Sequence, residues 1–294
     1  MKTPDFTHAS TDDDLADDLG DDVSLDSAAL VEGHVRVPLQ KLLQARRSAS
    51  RDTVRSWIQN GRVKVNGTCV TRFAEPVAVD AALQLDDATL PNPPAIVLLM
   101  HKPKRHLTAL VSCDDRPTLA TYVPAWAPEV FAVGRLDFNS EGALLLTNDG
   151  MLAHRLLHPD FAIEKRYGLK IRDRIEPDDP RLAVFTNGIV QGGVTYRAVR
   201  VAFRELRARA TWIDVWLNEG KNREIRRLAQ EAGFQVVKLR RESIGPIELG
   251  SLNPRCARAL TPEELQALYR TAALPLPASI FEPPATISPP SPTE

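Results

Sequence analysis

Two apolar runs separated by a glycine-bracketed polar loop constrain this chain more than any other stretch: Phe131-Ala132-Val133, then GRLDFNSEGALLLTNDG from Gly134 to Gly150. Phe131 to Val133 predicts a short buried strand, Gly134 permits a backbone turn, and Ala143 to Thr147 predicts a second apolar strand closed by Asn148-Asp149-Gly150. The carboxylate of Asp137 therefore lies beside Arg135 on a loop fixed at both ends by rigid elements, where proteins tend to carry functional groups. A lone Asp, Asn or Ser in a loop more often caps a turn with its own side chain, and Asp137, Asn139 and Ser140 are each open to that reading.

A length of 294 residues with 43% hydrophobic content allows a substantial core and room for two domains plus tails. No apolar run is long enough to span a bilayer, and the acidic amino terminus lacks the basic and apolar regions of a secretory signal, so a cytoplasmic protein without membrane contact is expected. Cys69, Cys113 and Cys256 are widely separated and match neither a metal-ligand spacing nor a disulfide framework, which predicts reduced thiols and no bound metal. The formal net charge of -1 conceals a strong asymmetry. Residues 1–32 carry ten acids against Lys2, whereas residues 35–72 carry nine bases against Asp52. A cationic segment this dense is the electrostatic footprint of phosphate binding, with a solvated charged face as the competing explanation.

The acidic stretch 1–34 has little apolar content and is expected to be a disordered tail; the Pro-rich stretch 273–294, with seven prolines from Pro275 onward, is expected to behave likewise. Between them, residues 35–85 predict a compact helix-helix-hairpin module. A first helix carries Leu39, Leu42 and Leu43; a second, opened by Ser50, buries Val54 and Ile58 and places Arg51 and Arg55 on one face; Asn66-Gly67 then joins two short β-runs. Asp86 to Pro94 reads as a proline-bearing linker. From residue 95 to 272, strands at Ala95–Met100, Glu164–Ile171, Val194–Phe203 and Thr211–Leu217 interleave with helices at Met151–His158, Lys221–Ala232 and after the capping box Thr261-Pro262-Glu263-Glu264. With no regular βαβ period and no dinucleotide glycine motif, this predicts an α+β domain on a mixed, largely antiparallel sheet with flanking helices.

The stretch Gly134–Gly150 resembles the signature motif of pseudouridine synthases of the ribosomal small-subunit type, a family acting on both ribosomal RNAs, and the resemblance makes Asp137 the catalytic aspartate. The seventeen-residue match outweighs the turn-cap reading. His101-Lys102-Pro103-Lys104 is similar to the Lys-Pro strand end that opens the family's catalytic domain, with Arg105 where a glycine is usual. Glu164-Lys165-Arg166-Tyr167 looks like the family's Glu-Lys-x-Tyr segment, which sets Tyr167 against the target base; an aromatic ring on a strand is otherwise more often core. In Gly220 to Leu228, Ile225 and Leu228 begin an apolar stripe that leaves Arg223, Arg226 and Arg227 on the polar side. Lys221 and Arg223 at a helix start oppose the macrodipole, a conflict an anionic partner would relieve. The resemblance implies that Arg226 pairs with Asp137, that Leu239 in the closing motif Val236–Leu249 lines the pocket, and that Arg135, Lys102, Arg223 and Arg227 contact substrate.

The module at 35–85 is similar to the small RNA-binding domain first described in the fourth ribosomal protein of the small subunit, implying that Arg36, Lys41, Arg51, Arg55, Arg62 and Lys64 bind RNA. The resemblance as a whole implies a cofactor-free, monomeric enzyme whose partner is ribosomal RNA or a pre-ribosomal particle and which isomerises specific uridines, with large-subunit RNA favoured by the Asn-Arg-Glu-Ile-Arg-Arg segment. The alternatives are a non-catalytic RNA-binding or ribosome-assembly factor on the same fold, and a hydrolase pairing Asp137 with His154 or His158.

Overall fold

The computed structural model describes residues 29–31, 34–47, 49–78, 81–91, 93–110, 115–127, 130–207 and 210–281. The acidic residues 1–28 and the thiol of Cys113 lie outside the described residues. The first element among the described residues is strand β1 (Ala29–Val31), which pairs antiparallel with β2 (His34–Pro38). The tail reading therefore does not extend to Ala29: Ala-Leu-Val and His-Val-Arg-Val are β-type runs that satisfy one another's backbone groups.

Helices α1 (Leu39–Arg47) and α2 (Arg51–Gln59) follow, the second capped by Ser50, whose hydroxyl accepts the Thr53 N–H at 3.2 Å. They bury Leu39, Leu43, Val54 and Ile58 against Val63, Leu83 and Leu85. Those last residues belong to a four-stranded sheet of β3 (Val63–Val65), β4 (Thr68–Cys69), β6 (Leu83–Leu85) and β7 (Ala88–Leu90); β5 (Pro76–Ala78) pairs instead with β2. Asn66 (φ 48°) and Gly67 (φ 81°) make the expected turn between β3 and β4.

Asp86 and Asp87 (φ 52° and 65°) make a second such turn between β6 and β7, so the stretch expected to start a linker is a hairpin. Asp tolerates the left-handed region, and both carboxylates are held by bases of the neighbouring strand: Asp86 pairs with Arg62 and Asp87 with Lys64.

The larger unit is built on nine strands in the order β14-β15-β11-β16-β10-β8-β18, with β9 added to β10 and β17 to β16. They are β8 (Val97–Lys102), β9 (Phe131–Ala132), β10 (Glu141–Thr147), β11 (Lys165–Ile171), β14 (Arg200–Arg207), β15 (Ala210–Leu217), β16 (Val236–Ile244), β17 (Ile247–Glu248) and β18 (Ala257–Ala259); the hairpin of β12 (Ile189–Gln191) and β13 (Val194–Tyr196) stands apart. Every pair in the large sheet is antiparallel except β10 with β16, which makes the sheet mixed and largely antiparallel. Helix α3 (Gly150–Leu157) and the last helix, α6 (Pro262–Thr271), cover one half of it, burying Leu145, Leu152, Leu156, Leu265 and Leu268. The short α4 (Ala183–Asn187) and α5 (Glu224–Glu231) cover the other half over Leu169, Phe185, Ile213, Ile225 and Leu239. A further cluster, including Leu98, Met100, Leu144 and Leu146, closes the opposite face of β8 and β10. Buried on both faces, those two strands read as continuous apolar runs, whereas β15, covered on one face, alternates.

Residues after 272 depart from the expected disordered tail. Ile280 bridges Ala95 in parallel, and Phe281 stacks on Trp126 with centroids 5.1 Å apart. An extended Pro-rich segment suits a sheet edge, where a missing N–H costs no ladder bond. Among the described residues no helix is long and apolar enough to cross a membrane.

Candidate active site

Asp137 lies between β9 and β10, and the backbone there is dictated by two glycines. Gly134 adopts φ 75°, and a Cβ on it would stand 2.9 Å from Leu157 Cδ2. Gly142 adopts φ 116°, and a Cβ there would fall 2.2 Å from the carbonyl oxygen of Arg241. No side chain fits at Gly142, because β10 and β16 begin their parallel pairing at that point, Gly142 opposite Arg241.

The Asp137 carboxylate accepts one long hydrogen bond, from Ser140 Oγ to Oδ2 at 3.4 Å, and no backbone N–H among the described residues. Its charge is therefore not spent on capping the turn, which is closed by the main chain, Ser140 N–H donating to Asp137 O at 3.0 Å. With 30% of its side chain exposed, Asp137 is open to solvent from one side. Arg226 Nε approaches Oδ2 to 3.9 Å, an ion pair without a hydrogen bond. That Nε is buried and has no hydrogen-bond partner among the described residues.

Tyr167 is 7% exposed and sits in one cluster with Leu136, Ile225 and Leu239. The structure thus brings Asp137 and Arg226 together and places their chain neighbours Leu136 and Ile225 in the same core cluster as Tyr167 and Leu239. Arg241, named in the sequence only as part of the closing motif, joins them: its Nη1 donates to the Tyr167 hydroxyl at 3.4 Å, its Nε to Ala143 O at 2.6 Å, and its buried Nη2 has no partner among the described residues. Lys165 follows the two-residue period of β11 onto the Tyr167 face, where burial first and the Arg241 charge second bring its ammonium down to about 8, partly offset by Glu219. It donates to Asn218 O at 3.1 Å.

Lys102, expected to contact substrate, supports the Asp137 loop. It is fully buried, and its ammonium donates to the carbonyls of Pro103, Asp137 and Ser140 at 3.1, 3.0 and 2.9 Å, which accounts for its three protons. Arg227 is diverted as well, donating to Gln191 Oε1 at 2.9 Å and lying over the Tyr196 ring of the β12–β13 hairpin. Arg135 is exposed on the loop, and Arg223 is half-buried at φ 51°. That left-handed residue delays α5 to Glu224 and becomes its N-cap, so the expected conflict with the helix dipole falls on Arg223. Glu224 supplies the anion instead, accepting Lys221 N–H at 3.1 Å and Arg197 N–H at 3.3 Å. Burial raises its carboxyl above the ordinary value, partly offset by those two hydrogen bonds.

His154 and His158, the partners in the hydrolase reading, meet each other and Phe161, ring centroids 5.2 to 5.9 Å apart. Among the described residues no group of three or more His, Cys, Asp or Glu is placed to hold a metal.

On the small module, Arg51 and Arg55 share a face of α2 as expected and both lie over Phe73, at 5.7 and 4.8 Å. Arg62 and Lys64 are occupied by Asp86 and Asp87. The side chains of Arg36 and Lys41 lie outside the described residues.

A profile of RNA pseudouridylate synthases matches residues 96–231, and an S4 domain profile matches residues 37–81. The chain is 30% identical over 236 residues to the ribosomal large subunit pseudouridine synthase B of Bacillus subtilis, covering 80% of this chain and 96% of that one. It is 34% identical over 227 residues to the protein of the same name from Yersinia pestis, covering 74% and 70%. A crystal structure of a pseudouridylate synthase superimposes with a TM-score of 0.54 at 25% identity, covering 79% of this chain and 99% of that one.

Proposed function

This chain belongs to the family of RNA pseudouridylate synthases, and from that premise we propose that it isomerises specific uridines of ribosomal RNA, those of the large subunit first, with Asp137 as its catalytic residue. The observation that carries the assignment to Asp137 is its environment: a carboxylate unspent on its own turn, approached at 3.9 Å by the buried Nε of Arg226, with its neighbour Leu136 packed in one cluster with Tyr167 and Leu239.

The target uridine leaves its stack and enters the cleft, where Tyr167 and Leu239 offer the aromatic and apolar surfaces a flipped base requires; stacking on such surfaces returns about 1–3 kcal/mol per base. Asp137 initiates cleavage of the bond between ribose carbon 1′ and ring nitrogen 1, either by attacking that carbon or by removing the 2′ proton. The detached uracil turns between the same walls, ring carbon 5 bonds to carbon 1′ as the bond to Asp137 breaks or the 2′ proton returns, and a base takes the remaining proton from carbon 5 while ring nitrogen 1 gains one. Nothing is gained or lost by the RNA, so no co-reactant enters the balance. Arg226 and Arg241 hold buried N–H donors suited to the charge that develops on Asp137 and on the uracil oxygens. The residue 35–85 module supports RNA anchoring through the Arg51 and Arg55 face of α2.

The test is to incubate the pure chain, without additives, with unmodified large-subunit RNA and, separately, small-subunit RNA, and to map pseudouridine. Site-specific conversion of the former is expected. Binding of both without conversion would favour the assembly-factor reading.

A further inference from the structure

Asp137 is held by its backbone, and its carboxylate is almost unsupported. Its side-chain contacts are long, 3.4 Å to Ser140 Oγ and 3.9 Å to Arg226 Nε. The main chain around it is tied down residue by residue from the segment after β8. The Asp137 carbonyl accepts from Lys102 Nζ at 3.0 Å, and the Phe138 carbonyl, one residue later, accepts from Arg105 N–H at 2.7 Å.

One residue earlier, a single side chain makes the tie. Thr108 Oγ1 donates to Leu136 O at 2.7 Å and accepts Leu136 N–H at 3.1 Å, so one hydroxyl satisfies both backbone polar groups of the residue that enters Asp137. Thr108 is itself in a pinned loop: Leu107 N–H donates to Pro117 O and Leu119 N–H to Ala109 O, each at 2.9 Å. Its β-branched side chain also has few rotamers, so the hydroxyl is pre-aimed.

We infer that Thr108 is a positioning residue for the reaction, fixing the direction of the Asp137 carboxylate through the Leu136 backbone. The inference rests on the reading of Asp137 as the catalytic residue. A reacting group held only through its main chain moves with it, and small displacements of such a group cost large factors in rate. Of the three ties, those from Lys102 and Arg105 leave the Leu136 backbone groups free; Thr108, among the described residues, holds both and so fixes the two peptide units that flank Leu136.

The experiment compares the full-length parent with Thr108→Val, Thr108→Ser and Asp137→Asn, reading single-turnover isomerisation at saturating ribosomal RNA, RNA affinity and Tm. Thr108→Val keeps shape and removes both hydrogen bonds; Thr108→Ser keeps the hydroxyl. Expected is a fall of about tenfold or more in the single-turnover rate for the Val variant at unchanged RNA Kd, with the Ser variant within about twofold of the parent. Should Thr108→Val be too unstable to assay, Thr108→Ser is set against Thr108→Ala at a temperature where both are folded, and the same split is expected. Parental rates in the Val variant alongside an inactive Asp137→Asn would overturn the inference and leave Asp137 standing; equal losses in Val and Ser would also overturn it, by showing that packing and not the hydroxyl matters. An active Asp137→Asn would bring down the assignment of Asp137 and this inference together.

Discussion

Arg226 Nε stands 3.9 Å from Asp137 Oδ2, close enough for charge attraction and too far for a hydrogen bond, while the same Nε is buried with no other partner among the described residues. A buried donor left unsatisfied costs about 1–3 kcal/mol, which a substrate that drew the two groups together would recover. Catalytic hydrogen bonds are often long before substrate binds.

Replacing Arg226 with Ala should therefore lower the single-turnover rate by about a hundredfold, equivalent to ~2.7 kcal/mol in the barrier, with a smaller effect on RNA affinity. Arg226→Lys should recover part of the loss, since a charge remains at the same helix position. A parental rate in the Ala variant would point to Arg241, whose buried guanidinium donates to the Tyr167 hydroxyl, as the residue that carries the role.

Asp137→Asn should abolish isomerisation while leaving the fold intact. Every tie on the loop from Lys102, Arg105 and Thr108 reaches a main-chain atom, so none is lost on changing the side chain. Tm within a few degrees of the parent and conversion below a few per cent of its rate are expected from melting curves and pseudouridine mapping; conversion above that level rejects the assignment.

Sequence local in the chain was legible. The Asp137 loop between two apolar strands, the Asn66-Gly67 turn, the Arg51 and Arg55 face and the capping box of α6 each follow from neighbouring residues, and each is in place. What failed to show was nonlocal. Nothing near Lys102 says that its ammonium will end on carbonyls thirty-five and thirty-eight residues away. The Asp86-Asp87 turn was hidden because Asp in the left-handed region is rarer than Asn or Gly, and because its stabilising bases lie on another strand. Arg227 belongs to the hairpin because Gln191 and Tyr196 reach it across the fold. Thr108 carries no motif; only the position of Leu136 reveals it.

The buried Lys165 gives a pH signature. Its ammonium, ordinarily near 10.5, titrates at about 8 in the folded chain. Between those values the unfolded chain holds a proton that the folded chain has shed, so this group makes stability rise with pH from about 8 to 10.5; below 8 both states are charged and the burial penalty is complete. Relative to the parent, Lys165→Met should then be favoured most below pH 8, and the advantage should shrink by on the order of 1–3 kcal/mol as pH rises toward 10. Denaturant unfolding at pH 7, 8.5 and 10 measures it. Parallel pH curves would mean that Lys165 titrates where an exposed lysine does.

The small module offers a division between bases free to meet phosphate and bases already engaged. Arg51 and Arg55 are exposed and lie over Phe73, an arrangement that organises both guanidinium groups without neutralising them. Arg62 and Lys64 are held by Asp86 and Asp87, so any phosphate must displace a carboxylate. Exposed pairs of that kind are weak, so the exchange is open, but releasing the carboxylate offsets part of its benefit. Arg51→Gln with Arg55→Gln should weaken binding to ribosomal RNA severalfold and reduce the slope of log affinity against log salt by about 1–2, since each lost phosphate contact removes roughly 0.7–0.9 from it. Arg62→Gln with Lys64→Gln should change the slope by less than half as much. Isomerisation at saturating RNA should survive in both, because each residue assigned to the chemistry lies beyond residue 100. Binding titrations across a salt series decide the matter: equal slopes for the two double variants would mean that the carboxylates do not screen Arg62 and Lys64, and an unchanged slope for Arg51→Gln with Arg55→Gln would remove α2 from the RNA interface.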